Sequence, residues 1–338
     1  MSADPIPTGD RPVSSTEHAA LDSIDAVQRA LAARQYITDR GLATAIYLAL
    51  QRHKPLLLEG EPGVGKTEVA RVLADALGTR LIRLQCYEGI DQSTAVYEWN
   101  YARQLLAIRM AEARRDDPRR DEPRPAGRED GRAPGPDLGD LGDIFSPAFL
   151  IRRPLLQAID AANERAPVLL VDELDRADEE FEAYLLELLG DFQVTVPELG
   201  TLRAVVPPVV VLTSNRTREI HDALRRRCLY FWIEYPTLEK EYAIVVARVP
   251  EAPEALARQV VGFVQQLRGE DLFKAPGVAE TLDWLAALVT LGQTELTEGA
   301  VRDSLGALLK YQDDIQKVHG GGLIGKLIDK VRGGSTRG

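Results

Sequence analysis

Eight consecutive residues have the types and the spacing needed to hold a polyphosphate. Residues 60–67 read Gly-Glu-Pro-Gly-Val-Gly-Lys-Thr and fit the pattern G-x-x-x-x-G-K-[ST]. Glycines allow backbone N–H groups to turn toward an anion, while the lysine reaches the β- and γ-phosphates and the threonine can ligate Mg²⁺. The pattern predicts ATP and Mg²⁺ as cofactors. The predicted binding residues are Gly60, Glu61, Pro62, Gly63, Val64, Gly65, Lys66, Thr67 and Glu68.

The flanking sequence favours this interpretation over an incidental glycine-rich turn. Residues 55–58 form a short apolar run typical of a buried strand, and residues 67–77 have a helical pattern that stops at Gly78. Strand, loop and helix therefore follow in the order that phosphate binding requires.

Two carboxylates follow a second apolar run, about a hundred residues later. Residues 168–171 read Val-Leu-Leu-Val, and Asp172 and Glu173 come next. At the carboxyl edge of a parallel sheet, Asp172 would reach the metal with Thr67, and Glu173 would polarise an attacking water. Acids that merely cap a turn are the alternative.

The next polar candidates follow two further strand patterns. Asn215 comes after the run 209–212 and would orient the water or contact the γ-phosphate, unless it is a plain turn residue. Arg225, Arg226 and Arg227 precede residues 229–233. Adjacent guanidinium groups repel one another, and an anion such as a neighbouring subunit's γ-phosphate would relieve this repulsion. A solvated helix end is the alternative.

Strand and helix patterns alternate up to about residue 232, which predicts an α/β fold with a parallel sheet flanked by helices. From residue 238 onward the patterns are helical, and we expect a C-terminal helical lid domain. The five predicted strands are residues 55–58, 80–84, 168–171, 209–212 and 229–233.

Composition changes along the chain predict its boundaries. Few apolar residues occur between 114 and 142, so this segment is expected to be a flexible insertion. The expected organisation is a disordered leader (1–17), a nucleotide-binding domain (18–236) containing the insertion (114–142) and a β-hairpin (192–207), the lid domain (237–318) and a flexible tail (319–338).

The overall composition narrows the class of protein. The net charge of −11, from 52 acidic and 41 basic residues, makes nucleic acid an unlikely partner. Cys86 and Cys228 are far apart, which predicts neither a disulfide framework nor a zinc site. The sequence shows neither a secretory h-region nor an apolar run of membrane-spanning length, so we expect a cytoplasmic protein.

Taken together, these motifs resemble the AAA+ ATPases, and within them the MoxR branch of the helix-2-insert group. The resemblance extends from about Tyr36 to Leu291 and is carried by residues 60–67, residues 170–177, Asn215 and the arginines before Cys228. It implies a P-loop NTPase fold and a homo-oligomeric, hexameric ring. Residues 192–207 look like the pre-sensor-1 hairpin of that group, although extension of the sheet is the alternative.

Finer features are similar to the CoxD-type ATPases, which are associated with maturation of molybdenum-containing carbon monoxide dehydrogenase. They are residues 97–106, 149–159 and 225–230. The resemblance implies a von Willebrand A-domain protein as partner and a metalloenzyme as client. It also implies arginine fingers, with Arg227 as the first choice and Arg226 as the second.

One position departs from the family pattern. MoxR relatives usually carry a sensor-2 arginine at the start of a lid helix, where this sequence reads Lys274-Ala275-Pro276-Gly277-Val278. Lys274 is the substitute candidate for contacting the nucleotide, although an ammonium cannot reproduce the planar guanidinium fork.

The leading hypothesis is therefore an ATP-hydrolysing ring that remodels or matures a partner enzyme. A nucleic-acid-stimulated motor and a nucleotide-gated scaffold without turnover are the alternatives. The pair Asp172 and Glu173 favours hydrolysis, because a pure scaffold has no use for a water-positioning carboxylate.

Overall fold

A parallel sheet of five strands organises the first part of the chain, as the sequence predicted. The computed structural model describes residues 21–115, 144–320 and 322–334. In the described residues, the strands are β1 (Leu56–Gly60), β2 (Leu81–Gln85), β3 (Tyr97–Trp99), β4 (Leu150–Arg152), β5 (Val168–Asp172), β6 (Gln193–Val196), β7 (Gly200–Arg203), β8 (Val209–Ser214) and β9 (Leu229–Ile233). The order in the main sheet is β2-β5-β8-β1-β9, and every pairing in it is parallel.

The central strands are buried on both faces by helices, which explains their continuous apolar runs. In β1, Leu57 packs into one core cluster, whereas Leu56 and Leu58 pack into the other. In the described residues, the helices are α1 (Ile24–Ala32), α2 (Arg40–Arg52), α3 (Lys66–Leu77), α4 (Gln92–Ala95), α5 (Tyr101–Arg115), α6 (Pro154–Ala158), α7 (Glu179–Asp191), α8 (Asp222–Arg225), α9 (Leu238–Arg248), α10 (Glu254–Leu267), α11 (Val278–Thr290), α12 (Glu298–Leu308), α13 (Gln312–His319) and α14 (Leu323–Gly334).

The strand order brings the predicted site residues together at the carboxyl ends of the central strands. Strand β8 lies between β1, which leads into the glycine loop, and β5, which ends in Asp172. Loop and carboxylate are therefore one strand apart, and residues at the end of β8 lie between them.

Two antiparallel two-stranded ribbons accompany the main sheet. The expected hairpin is formed by β6 and β7, with Val194 opposite Leu202. The second ribbon pairs β3 with β4, and Glu98 lies opposite Ile151. The sequence patterns did not predict this second ribbon, because its strands are three residues long and 51 residues apart in sequence.

Helices α9–α14 form a helical region with a core of its own, which we call the lid (residues 238–334). Trp284 is at its centre, fully buried, with its ring centroid 5.4 Å from that of Phe263. The indole Nε1 donates a hydrogen bond of 2.8 Å to the Ser304 hydroxyl, so the polar edge of the ring is satisfied.

The C-terminal segment differs from the flexible tail expected for residues 319–338. Residues 323–334 form α14, and Ile324, Leu327 and Ile328 are buried in the core of the lid. The apolar residues recur at helical spacing on one face, and tertiary packing of that face outweighs the unfavourable effect of the flanking glycines.

Other boundary predictions have different outcomes. The expected leader, residues 1–17, lies outside the described residues, as does the expected insertion at 114–142 apart from Arg114 and Arg115 at the end of α5. Helices α12 and α13 are separate, because buried Leu309 adopts an extended backbone between them. None of the helices in the described ranges is long and apolar enough to cross a membrane.

Candidate active site

Glycines shape the loop that joins β1 to α3. Gly63 and Gly65 have φ angles of 78° and 93°, in the left-handed region that residues with a Cβ rarely adopt. Gly60 is required by space as well, since a Cβ there would lie 2.3 Å from the carbonyl oxygen of Ile233. The loop leads into the N-terminus of α3, where first-turn N–H groups have no helical partner. This backbone arrangement suits phosphate oxygens.

Lys66 is the cation of this loop, and it is buried with 7% exposure. Its Nζ donates hydrogen bonds to the carbonyl oxygens of Gly60 (2.7 Å) and Glu61 (2.8 Å). Burial lowers the pKa of Lys66 to about 8, although nearby carboxylates, chiefly Asp175, act in the opposite direction. An anion placed against the loop would stabilise the charge that burial disfavours.

Thr67 and Asp172 are brought together, as the sequence predicted for a metal site. The Thr67 hydroxyl donates to Asp172 Oδ1 at 2.9 Å, and the Thr213 hydroxyl at the end of β8 donates to the same oxygen at 2.5 Å. Hydroxyl and carboxylate oxygens are the hard ligands that Mg²⁺ prefers, and Mg²⁺ commonly takes one or two protein ligands plus phosphate oxygens. The residues present therefore fit Mg²⁺. In the described part of the chain, no cluster of three or more His, Cys, Asp or Glu residues is placed to hold a metal.

A cation that the sequence reasoning missed lies on the second oxygen of Asp172. Arg83, on β2, donates to Asp172 Oδ2 from Nη2 at 2.6 Å and from Nε at 3.1 Å. Asp172 is 2% exposed, whereas the Arg83 side chain is 53% exposed. The alternation of β2 places Arg83 on the same side as Gln85, which pairs with Asp172 in the sheet register. This register could not be read from the sequence.

Glu173 occupies a strained position directly after β5. Its φ of 54° is in the left-handed region, which is uncommon for a residue with a side chain and concentrates at functional sites. Its backbone N–H donates to the Thr213 hydroxyl at 2.9 Å, and its carboxylate pairs with Arg176 at 2.8 Å. Strand β8 and Arg176 thus hold backbone and carboxylate at the edge of the sheet.

Asn215 follows β8 and is held by a buried carboxylate, Asp175. Asp175 accepts hydrogen bonds from the N–H groups of Asn215 (3.1 Å) and Thr217 (2.9 Å) and from the Thr217 hydroxyl (2.6 Å). Burial acts to raise the pKa of Asp175, but these hydrogen bonds outweigh it and the net pKa is lowered. Asp175 was not among the predicted site residues, although it lies two residues beyond Glu173.

The phosphate loop, Asp172, Glu173 and Asn215 face one cavity of about 430 Å³ between the loop, the edge of the sheet and the lid. The lid contributes one face of α9, with residues four apart in sequence, and the first turns of α11. The predicted site residues that line the cavity are Pro62, Gly63, Val64, Gly65, Lys66, Thr67, Glu68, Asp172, Glu173 and Asn215. The lid residues that line it are Lys240, Ile244, Arg248, Val278, Ala279 and Leu282.

Residues 55–228 match the family model described as AAA domain (dynein-related subfamily). The chain belongs to this family. It is an ATPase and uses ATP with Mg²⁺. Among solved structures, it is similar to the RuvB Holliday junction branch migration motor of Thermotoga maritima, with 16% identity and a TM-score of 0.42, over 87% of this chain and 74% of that one. A proline-to-glycine mutant of the same protein has 16% identity and a TM-score of 0.44, over 88% and 74%.

The first of the three adjacent arginines of this ATPase is used inside its own sheet. Arg225 Nη2 lies 3.3 Å from Glu59 Oε2, and its guanidinium lies 5.4 Å from the centroid of the Tyr230 ring. Glu59 is 1% exposed, so Arg225 balances a buried carboxylate of β1.

The two arginines predicted as fingers are not part of the cavity of their own chain. The Arg226 side chain is 80% exposed and its Nη2 lies 2.6 Å from Asp222 Oδ2. Arg227 Nη1 donates to the carbonyl oxygen of Leu186 in α7 at 2.5 Å. The cavity-lining residues in the described ranges include neither of them. Their role toward a neighbouring subunit stays a prediction.

Lys274, the expected lid contact to the nucleotide, lies outside the cavity. Its side chain is exposed and is not among the cavity-lining residues of the described ranges. Its backbone N–H donates to the buried carboxylate of Asp314 at 3.2 Å, an interaction that orders the loop before α11. The cations that the lid does place at the cavity are Lys240 and Arg248, and Arg248 lies 3.2 Å from Glu68.

Proposed function

We propose that this ATPase works as a homo-oligomeric ring whose hydrolytic sites are shared between neighbouring subunits. The observation that carries the proposal is the separation of two groups of residues. Lys66, Thr67 and Glu173 face the cavity of their own chain, whereas Arg226 lies outside it with an exposed side chain. AAA+ proteins commonly form oligomeric rings. A neighbouring subunit would meet this exposed arginine at the seam.

Within one subunit, each residue has a distinct task. The N–H groups of the loop and the Lys66 ammonium would hold the phosphates, and Thr67 and Asp172 would hold Mg²⁺. Mg²⁺, when bound, neutralises charge on the phosphate oxygens. Glu173 accepts the proton of the attacking water, and the Asn215 amide orients that water without adding charge.

The two arginines would complete the site from the neighbouring chain. Arg227 is the first candidate and Arg226 the second. An arginine finger accelerates hydrolysis by about 10³ to 10⁵, or roughly 4 to 7 kcal/mol of barrier. An isolated subunit should therefore hydrolyse ATP slowly, and the specific activity should rise with protein concentration.

Concentration dependence and matched arginine variants test this proposal. We expect Arg226→Ala and Arg227→Ala together to lower the ATPase rate of the assembled protein at least a hundredfold, with unchanged nucleotide binding. Arg258→Ala is the control, because Arg258 forms the same kind of exposed pair with Glu254, four residues away, in the lid. The shared site would be rejected if the specific ATPase activity did not depend on protein concentration. It would also be rejected if the double arginine variant were as active as Arg258→Ala.

We propose further that the ATPase is cytoplasmic and matures a metalloenzyme, by inserting or activating the metal cofactor of a molybdenum hydroxylase. A von Willebrand A-domain protein would be its partner. The support is the resemblance to MoxR and CoxD-type ATPases, carried by residues 97–106, 149–159 and 225–230.

The client's metal content is the direct test of this second proposal. Lys66→Ala should remove ATP binding and leave the client without its metal centre, whereas Lys54→Ala, a control at an exposed lysine before β1, should not. If Glu173→Gln abolishes turnover and the client still acquires its metal, a nucleotide-gated scaffold explains the protein better.

A further inference from the structure

Backbone atoms of the lid contact backbone atoms of the phosphate loop. The N–H of Ala279 donates to the carbonyl oxygen of Gly63 at 3.2 Å. A Cβ built on Gly277 would lie 2.8 Å from Gly63 Cα and 2.8 Å from the carbonyl oxygen of Pro62. Two glycine backbones are therefore in contact, one in the loop and one at the start of α11.

A glycine is needed at position 277 because the contact leaves no space for a Cβ. Its backbone angles do not require a glycine. Its φ of −83° and ψ of −177° are extended values that any residue adopts. Atoms at 2.8 Å from a Cβ are closer than real Cβ atoms come, and both are backbone atoms that cannot rotate away. Even an alanine would therefore push the lid and the loop apart.

Helix α11 begins after Gly277 without a side-chain cap. Ser23, Asp39, Thr237 and Thr297 each precede a helix and accept a first-turn N–H with the side chain, as preferred cap residues do. Gly277 has no such group, and Glu280 Oε2 accepts the Gly277 N–H at 3.0 Å instead. The usual cap is absent from α11 where the loop approaches.

On the lid side, the contact rests on a rigid support. Arg268 Nε donates to the carbonyl oxygen of Pro276 at 2.8 Å, and the Thr281 hydroxyl donates to that of Gly277 at 3.0 Å. Arg268 also donates to the buried carboxylate of Glu241, and the one proton of the Thr281 hydroxyl is shared between this carboxylate and the Gly277 carbonyl. A displacement of Gly277 is therefore shared with the core of the lid.

We propose that Gly277 is a positioning residue, and that its contact with Gly63, here called the backbone latch, couples nucleotide binding to the lid. Nucleotide held by the loop fixes Gly63, and the latch transmits this order to α11 and to the network around Glu241. By reciprocity, a lid held in place strengthens nucleotide binding. The proposal rests on the nucleotide site proposed above.

Gly277→Ala tests the latch with one added methyl group. Gly306→Ala in α12 is the matched control, because a Cβ there meets no atom within 4 Å and the residue lies in a helix. We expect binding of the ATP analogue AMP-PNP with Mg²⁺ to weaken at least tenfold in Gly277→Ala and to change less than twofold in Gly306→Ala.

Amide hydrogen exchange provides the second readout, which a merely structural role would not move. In the wild type and in Gly306→Ala, AMP-PNP should slow exchange in α10 and α11 severalfold, whereas Gly277→Ala at saturating nucleotide should show protection of the loop alone. Equal affinity and equal lid protection in the two variants would overturn the latch alone. A wild type that binds no AMP-PNP would overturn the nucleotide site, and the latch with it.

If Gly277→Ala does not fold, the wild type itself decides. Peptides that cover residues 60–67 and 275–282 should gain protection over the same range of AMP-PNP concentration. Protection of the loop without any change at residues 275–282 would overturn the proposal.

Discussion

Buried charge is handled differently in the two regions of the molecule. In the lid, Glu241 is fully buried and accepts hydrogen bonds from Arg268 (2.6 and 2.7 Å), Thr281 (2.8 Å) and Gln265 (2.7 Å). The network is closed, and all its members belong to the lid or the segment leading into it.

At the edge of the sheet, by contrast, buried charges are shared among strands and face a cavity. Asp172 is held by residues of α3, β8 and β2, and Lys66 has a pKa lowered by burial. The buried charges of the lid therefore stabilise its fold. Those of the site, Asp172 and Lys66, can exchange their present partners for a ligand. The two regions should therefore respond differently to substitution.

The largest effect should come from Glu173→Gln, which removes the proton acceptor while preserving size. We expect the ATPase rate to fall by about 10⁴, or roughly 5 kcal/mol of barrier, with the midpoint of thermal unfolding unchanged. Steady-state hydrolysis measures the ATPase rate, and a melting curve measures the midpoint of thermal unfolding. Glu254→Gln on the lid surface is the control, and a Glu173→Gln variant that still turns over would remove this residue from the mechanism.

Glu241→Ala should do the reverse, because it leaves Arg268 buried without its partner. We expect a loss of about 3 kcal/mol in the free energy of unfolding, measured by urea denaturation. Glu239→Ala, exposed on the same helix, should change this free energy by less than about 0.5 kcal/mol. Equal stabilities of the two variants would contradict the distinction between closed and exchangeable charges.

Raising the pH should weaken nucleotide binding through Lys66. Phosphates favour its charged form, so binding takes up a proton once the pH exceeds the pKa of about 8 in the free protein. Affinity for AMP-PNP should begin to fall about one pH unit below this pKa, should be about halved at pH 8, and should then fall by up to about tenfold per pH unit, or 1.4 kcal/mol. Calorimetric titrations measure this.

Lys66→Arg is the control for the pH effect, because a guanidinium stays protonated across this range. Its affinity will be lower overall, but the fall above pH 8 should disappear. A wild-type affinity that does not depend on pH up to 9.5 would show that Lys66 keeps its charge by other means.

Arg83→Gln should have the smallest effect. The guanidinium competes with Mg²⁺ for Asp172, and its half-exposed position makes the pair weak. We expect the Mg²⁺ concentration for half-maximal ATPase activity to fall about threefold, or roughly 0.6 kcal/mol. Arg80→Gln, just before β2, should leave it unchanged, because Arg80 contacts Gln157 and Asn163 rather than Asp172. A rise in the Mg²⁺ requirement would instead make Arg83 a support for the metal site.

The sequence predicted those parts of the molecule in which a local pattern carries the information. The loop and the pair Asp172 and Glu173 are contiguous motifs attached to strands. The five-stranded sheet and its flanking helices are confirmed. The order of strands brings these motifs to the carboxyl edge of the sheet. The alternation of strands and helices had already predicted a parallel sheet, in which the carboxyl ends of the strands share one edge.

What the sequence could not show depends on register and on backbone contact. Arg83, Thr213 and Asp175 belong to the site because neighbouring strands and turns align with Asp172 and Asn215. Near Lys274, the residue that approaches the loop is Gly277. A glycine carries no chemical signature of the contact it permits.

A mixing experiment tests the central claim that hydrolysis occurs at a seam between subunits. Glu173→Gln protein and a double variant with Arg226→Ala and Arg227→Ala should each be nearly inactive alone. Mixed 1:1 and allowed to exchange subunits, they should recover about a quarter of the wild-type rate, because about a quarter of the seams then combine an intact carboxylate with an intact arginine donor. A mixture no more active than the average of its components would contradict the shared site.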